Sequence, residues 1–128
     1  MTTTSTEQRG FSIGGRPIGP DHPPFIVGEL SANHNGRLDH ALAIIDAIAE
    51  AGADAVKLQT YTADTITLDS DREDFLLKEG PWEGRTLHEL YEWAHTPWDW
   101  HAVLFERARG RGLLVFSSPF DFTAVDFL

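Results

Sequence analysis

Two periodicities alternate along this chain. Phe25-Ile26-Val27-Gly28-Glu29-Leu30 is a short, mostly apolar run bounded by Asp21 to Pro24, and it predicts a buried strand. From Leu38 onward the period changes. Leu38, Ala41, Leu42, Ile45, Ile48 and Ala49 fall on one face at helical spacing, with Gly52 as the stop. Asp54 to Tyr61 alternates again, with Val56 and Leu58 on one side and Lys57 and Gln59 on the other. Strand, helix and strand together span about 30 residues, the size of a βαβ unit, whose right-handed crossover makes the strands parallel.

The pattern then repeats less regularly. Thr62 to Arg85 is a polar excursion. Thr86-Leu87-His88-Glu89 matches a capping box, and Leu87, Leu90, Tyr91 and Ala94 continue it as a short helix. Thr96 is expected to cap the next helix, with Pro97 at its first position, Asp99 in its first turn, an apolar face of Trp100, Val103, Leu104 and Ala108, and Gly110 and Gly112 at its end. Leu113 to Phe116 is the third strand, Ser117 to Asp121 its exit loop, and Thr123 to Leu128 the beginning of a helix. Upstream, Gly14-Gly15 between short apolar stretches predicts a hairpin over Phe11 to Pro20. Met1 to Gly10 is Thr-rich and polar and is read as a disordered tail without the features of a signal peptide.

Strands joined by helices suit an open α/β sheet or a barrel. No G-x-G-x-x-G fingerprint follows the first strand and no P-loop occurs, which disfavours nucleotide binding. The expected fold class is α/β, a parallel β/α (TIM-type) barrel with only its first two to three β/α units present over 11–128. A complete barrel takes eight units and about 250 residues. The last helix stops about one turn in, and its apolar residues lack a later partner, so the barrel and any small C-terminal domain are expected to lie beyond Leu128.

Composition narrows the function. The absence of cysteine excludes disulfides, thiolate metal sites and cysteine nucleophiles, and fits a cytoplasmic protein. The formal charge of −10, with Lys57 and Lys78 the only lysines and no basic run, argues against nucleic-acid binding. No apolar run is long enough for a membrane-spanning helix. An acidic protein that binds an anion must place its few cations with care, which directs attention to Lys57.

Active sites of parallel α/β folds gather at the C-terminal ends of strands. Here those ends carry Glu29 and Ser31, then Lys57, Gln59 and Thr60, then Ser117, Ser118 and Asp121. An unpaired ammonium at Lys57, between Val56 and Leu58, would be costly, so it needs a carboxylate or an anion. Glu29 is the first candidate and a bound phosphate or carboxylate the second. Gln59 shares the face of Lys57, either as a satisfied barrel-mouth amide or as a ligand contact. Ser117 and Ser118 are helix caps or ligand contacts. His34 reads as a turn-stabilising or solvated residue; His88, His95 and His101, which lack the spacing of a helical metal pair, read as surface or partly packed. Trp82, Trp93, Trp98 and Trp100 are packing residues, with sugar stacking the other option.

Taken together, Phe25 to Gly36 (FIVGELSANHNG), Ala51 to Thr60 (AGADAVKLQT) and Phe116 to Asp121 (FSSPFD) resemble the sialic-acid synthase family. Thr67 to Phe75, Trp82 to Leu87 and Ala94 to His101 are similar to its pseudaminic-acid branch. The resemblance implies condensation of phosphoenolpyruvate with an open-chain N-acylated aminosugar, here a 2,4-diacetamido-2,4,6-trideoxyhexose, to give a nonulosonic acid. A divalent metal, Mn2+ or Mg2+, would polarise the aldehyde; its histidine ligands would come from later strands, so this chain is expected to hold none. Carried over by position, Lys57 and Ser118 would hold phosphoenolpyruvate. Glu29 would orient groups or relay a proton near the aldehyde. Gln59 and Phe120 would contact the sugar, and the excursion around Asp71 would help select it. A domain-swapped homodimer is implied for the family. Gly28 stands where the family pattern leads us to expect alanine, which reads as a small change in strand packing. The alternatives are an N-acetylneuraminate synthase acting on N-acetylmannosamine, and a non-catalytic remnant or interaction module.

Overall fold

In the computed structural model, which describes residues 10–128, the element that organises the rest is β4 (Ala55–Thr60). It lies between β3 (Val27–Glu29) and β5 (Leu114–Pro119) in a parallel sheet of order β3-β4-β5. The register aligns Val27 with Ala55 and Leu114, Glu29 with Lys57 and Phe116, and Gln59 with Ser118. Period-two alternation therefore sends Glu29, Lys57, Gln59 and Ser118 to one face of the sheet, and Val56, Leu58, Thr60 and Ser117 to the other.

The second face is the core. Helix α1 (Leu38–Glu50) follows β3 and α4 (His101–Gly110) precedes β5, and both lie against it. Ala41 and Ile45 from α1, Val56 and Leu58 from β4, and Leu104 and Ala108 from α4 are fully buried in one cluster with Leu30. Burying an aliphatic side chain of this size contributes about 1.5–3 kcal/mol, so this layer dominates the apolar stabilisation. Outside it, Asp46 and Glu50 of α1 pair with Arg107 and Arg111 of α4. Gly52, at φ 81°, turns the chain out of α1 toward β4 as expected.

The hairpin also forms, with β1 (Phe11–Ile13) antiparallel to β2 (Arg16–Ile18) across Gly14-Gly15. Arg16 ties it to the base of β4 through an ion pair with Asp54, whose other oxygen accepts the Ile26 amide at 2.7 Å. Helix α3 (Leu87–Ala94) begins with the expected reciprocal cap: Glu89 N–H donates to Thr86 Oγ1 at 3.1 Å, and Thr86 N–H donates to Glu89 Oε2 at 2.9 Å.

Several expectations are corrected. The first strand is not buried on both faces: Val27 is 41% exposed, because its side of the sheet is largely open while the helices cover the other. The polar excursion contains a helix, α2 (Ala63–Ile66), with its own Thr62/Thr65 capping box, and a 3₁₀ turn, Glu73–Phe75. Thr96 caps nothing. It is buried with its hydroxyl facing His34, while Pro97 occupies the cap position of a 3₁₀ turn, Trp98–Trp100, that leads into α4. Val103 is exposed rather than part of the apolar face. Ser117 and Ser118 belong to β5 rather than to a loop, and the cap of α5 (Phe122–Phe127) is Asp121, which accepts from the Thr123 and Ala124 amides. The apolar partner of α5 comes from earlier in the chain: Phe127 packs on Trp98 and edge-on to His101. The expected tail, apart from Gly10, lies outside the described residues.

Candidate functional site

At the C-terminal ends of β3 and β4, three polar side chains that sequence placed at strand ends meet. Glu29 lies beside Lys57 in register. Lys57 Nζ is 3.2 Å from Glu29 Oε2, and Gln59 Nε2–H donates to Glu29 Oε1 at 2.7 Å. Both oxygens of one carboxylate are thus engaged by the neighbouring strand. The Lys57 and Glu29 side chains keep 32% and 36% of their surface exposed, so a ligand can reach them. The ion-pair partner anticipated for Lys57 is present, and the pair is accessible rather than sealed.

The local charge balance favours an ionised Glu29. Partial burial pushes its carboxyl upward, but bonding to Lys57 and Gln59, the Ser31 hydroxyl and the charge of Lys57 together hold it below its ordinary value. Ser31 and Asn35 both adopt positive φ, at 47° and 52°, in the β3–α1 loop.

Ser118 lies opposite Gln59 on the same face of the sheet and is half-buried. Phe120 follows β5, its amide donating to the Thr60 carbonyl at 3.2 Å. Its ring is 41% exposed and rests edge-on against buried Tyr61 at 5.3 Å. Glu29, Lys57, Gln59, Ser118 and Phe120 therefore lie along one rim. Asp71 is exposed before the 3₁₀ turn, and no hydrogen bond or ion pair among the described residues ties it to that rim.

Behind the rim, on the helix side, two histidines are buried. His34 is fully buried, not solvated: Nδ1 accepts the Gly36 amide at 3.1 Å, the ring meets Trp100 edge-on at 5.4 Å, and burial lowers its pKa. His101 is 3% exposed, and burial again lowers its pKa against smaller opposing effects of the Pro97 and Trp98 carbonyls and Asp99. Its assignment as a surface or partly packed residue is corrected. A lone histidine at a helix start carries no sequence mark of burial, and the signal is the sheet partner it meets. Trp98 and Trp100 pack inward, whereas Trp82 and Trp93 pack on each other with Trp93 43% exposed. Among the described residues, no three His, Cys, Asp or Glu side chains are grouped so as to hold a metal ion. Among the same residues, no helix is long and apolar enough to cross a membrane.

Comparison with known proteins bears on the family and the fold. Residues 44–128 match the NeuB family. The chain is 56% identical over 108 residues to the pseudaminic acid synthase of Campylobacter jejuni, covering 84% of this chain and 32% of that protein. It is 51% identical over 106 residues to the pseudaminic acid synthase of Helicobacter pylori, covering 83% and 31%. The crystal structure of a sialic acid synthetase from Leptospira borgpetersenii superposes with a TM-score of 0.73 at 28% identity, over 94% of this chain and 37% of that one. The chain thus spans about a third of the length of the curated relatives it matches.

Proposed function

This chain belongs to the NeuB family, and from that premise we propose that it forms the phosphoenolpyruvate-gripping part of a synthase that joins phosphoenolpyruvate to an N-acylated aminosugar, yielding a nonulosonic acid. The carrying observation is the Glu29–Lys57–Gln59 cluster at adjoining strand ends. On this reading the parallel sheet is an arc of a closed β/α barrel, and its Glu29 face is the barrel interior, where such enzymes place their chemistry.

Each residue has a definite task. Lys57 is the cation of the rim, paired with Glu29 while its side chain stays 32% exposed. A bound phosphate or carboxylate takes over part of its charge, and Ser118, one strand away, donates a hydroxyl hydrogen bond to the same anion. Gln59 bonds through its amide to Glu29 and orients that carboxylate. Once the anion draws on Lys57, Glu29 is the nearest group able to accept or return a proton at the sugar carbonyl. Phe120 offers an exposed ring for the acceptor, and Asp71 lies on the segment proposed to select it. The described residues do not form a metal set, so no step is assigned to the divalent ion that the family resemblance implies.

The acceptor proposed is a 2,4-diacetamido-2,4,6-trideoxyhexose, and the product pseudaminic acid. Identity of 51–56% to pseudaminic acid synthases supports that branch. A cytoplasmic, homodimeric enzyme is part of the same proposal. The test is phosphate release from phosphoenolpyruvate by the protein carrying this segment, with Mn2+ or Mg2+ and either the diacetamido sugar or N-acetylmannosamine. Release with the first sugar is expected. Preference for N-acetylmannosamine would move the protein to the N-acetylneuraminate branch, and no phosphoenolpyruvate binding at all would leave a non-catalytic module.

A further inference from the structure

A directed hydrogen-bond chain runs behind the rim. His101 opens α4, and its Nδ1 lies 3.2 Å from the Pro97 carbonyl oxygen. A carbonyl only accepts, so that nitrogen carries the proton. In the neutral ring Nε2 is then an acceptor, and it lies 2.8 Å from Thr60 Oγ1. The Thr60 hydroxyl spends its one proton on the imidazole, so its oxygen accepts from Ser117 Oγ at 2.6 Å. Donation therefore runs from Ser117 to Thr60 to His101, while His101 itself donates to Pro97. His101 and Thr60 are almost wholly buried, where an unpaired polar group is costly.

The ends of this chain matter because of their neighbours. Thr60 ends β4 one residue after Gln59, and Ser117 precedes Ser118 in β5. Alternation points Thr60 and Ser117 toward the helices, and Gln59 and Ser118 toward the rim. A link between the first two sets the separation and pitch of the last two.

We propose that His101 is a positioning residue for the condensation: through Thr60 and Ser117 it locks the ends of β4 and β5 so that Gln59 and Ser118 face one ligand. The proposal rests on the functional reading above for the roles of Gln59 and Ser118. It explains why two polar side chains, Thr60 and Ser117, are spent on the core face of a sheet whose other core positions are apolar, with His101 of α4 set against them.

The test compares His101→Leu, Thr60→Val and His101→Gln with wild type in the protein carrying this segment. Phosphate release, the KM for phosphoenolpyruvate and thermal stability are measured together. Small misplacements of binding groups cost up to about 100-fold, so His101→Leu and Thr60→Val are expected to lower kcat/KM by about 10- to 100-fold while the proteins stay folded at the assay temperature. Their double variant should be little worse than either single, since both break one chain. His101→Gln keeps an acceptor near the Nε2 position and should recover most of the activity. Two results would overturn the proposal: normal kcat/KM in folded His101→Leu, or losses that follow thermal stability alone with no recovery in His101→Gln. A wild-type protein that neither binds phosphoenolpyruvate nor releases phosphate would instead bring down the functional reading, and the proposal with it.

Discussion

Lys57 and Glu29 form a pair that meets a structural need and still stays open to solvent. An ammonium in an apolar strand needs a counterion, and Glu29 supplies it at 3.2 Å while both remain about one-third exposed. Replacing Lys57 by methionine removes the cation and keeps the length of the side chain. Phosphoenolpyruvate affinity should then fall about 10- to 100-fold, the worth of a charge-assisted hydrogen bond. Calorimetry checks this, and unchanged affinity would take Lys57 out of the site. The same variant should raise the Glu29 pKa, because burial, which pushes the carboxyl up, would lose its main opponent. Carbon-detected NMR titration reads that shift directly. In wild type the depressed Glu29 pKa contributes stability that is fully present above the ordinary carboxylate value and is lost as pH falls through the folded-state value. His34 and His101 act at higher pH. Both have lowered pKa values through burial, so the unfolded chain takes up their protons first. Stability should hold above about pH 6.5 and decline as pH falls from there through the folded-state values. Urea unfolding between pH 5 and 8 should show this slope, and His34→Gln with His101→Gln should flatten it.

Packing between elements depends on shapes that composition alone does not describe. Gly28 faces α1, and a Cβ there would lie 2.6 Å from Ile48 Cγ2 and 2.8 Å from Cγ1. The expectation that alanine differs little from glycine here therefore needs correcting: in this chain the two positions fit as small against large. Gly28→Ala should destabilise by about 1–3 kcal/mol through overpacking, and Ile48→Ala should relieve that part of the cost. A double-mutant cycle in chemical denaturation would reveal the coupling. The two threonine caps make a complementary case. Thr86→Ala should cost about 1 kcal/mol, because Thr86 accepts the Glu89 amide at the start of α3. Thr96, in an equally cap-like sequence, turns its hydroxyl oxygen toward His34 Nε2 in the core instead. The cap read from the sequence forms at Thr86 and not at Thr96, where a buried polar partner competes for the hydroxyl.

For the molecule as a whole, the sheet has one covered face and one open face. Val27, Leu114 and Phe116 are each 41–44% exposed on the open side, and Phe122 and Val125 of α5 are also exposed. Apolar surface of this kind drives association when nothing covers it. The 128-residue chain on its own is thus expected to self-associate with rising concentration and to bind a hydrophobic dye, as sedimentation velocity and fluorescence would report.

The parallel β/α arrangement and most of the rim were legible in the chain itself. Period two over Asp54 to Tyr61 and period 3.6 over Leu38 to Ala49 are local properties, and burial of a single face reads them the same way in the sequence and in the fold. They were enough to put Lys57 and Gln59 on one side of β4 and to single out an ammonium in need of a partner. Tertiary structure decided which groups meet. The Gln59–Glu29 bond spans 30 positions, Thr60 to His101 41, and Thr60 to Ser117 57. Contacts at such range follow from strand register and helix docking, which no local window contains. For that reason a histidine with no sequence mark of burial became the anchor of a buried chain, while Lys57, conspicuous from the start, acquired its carboxylate only when two strands came into register.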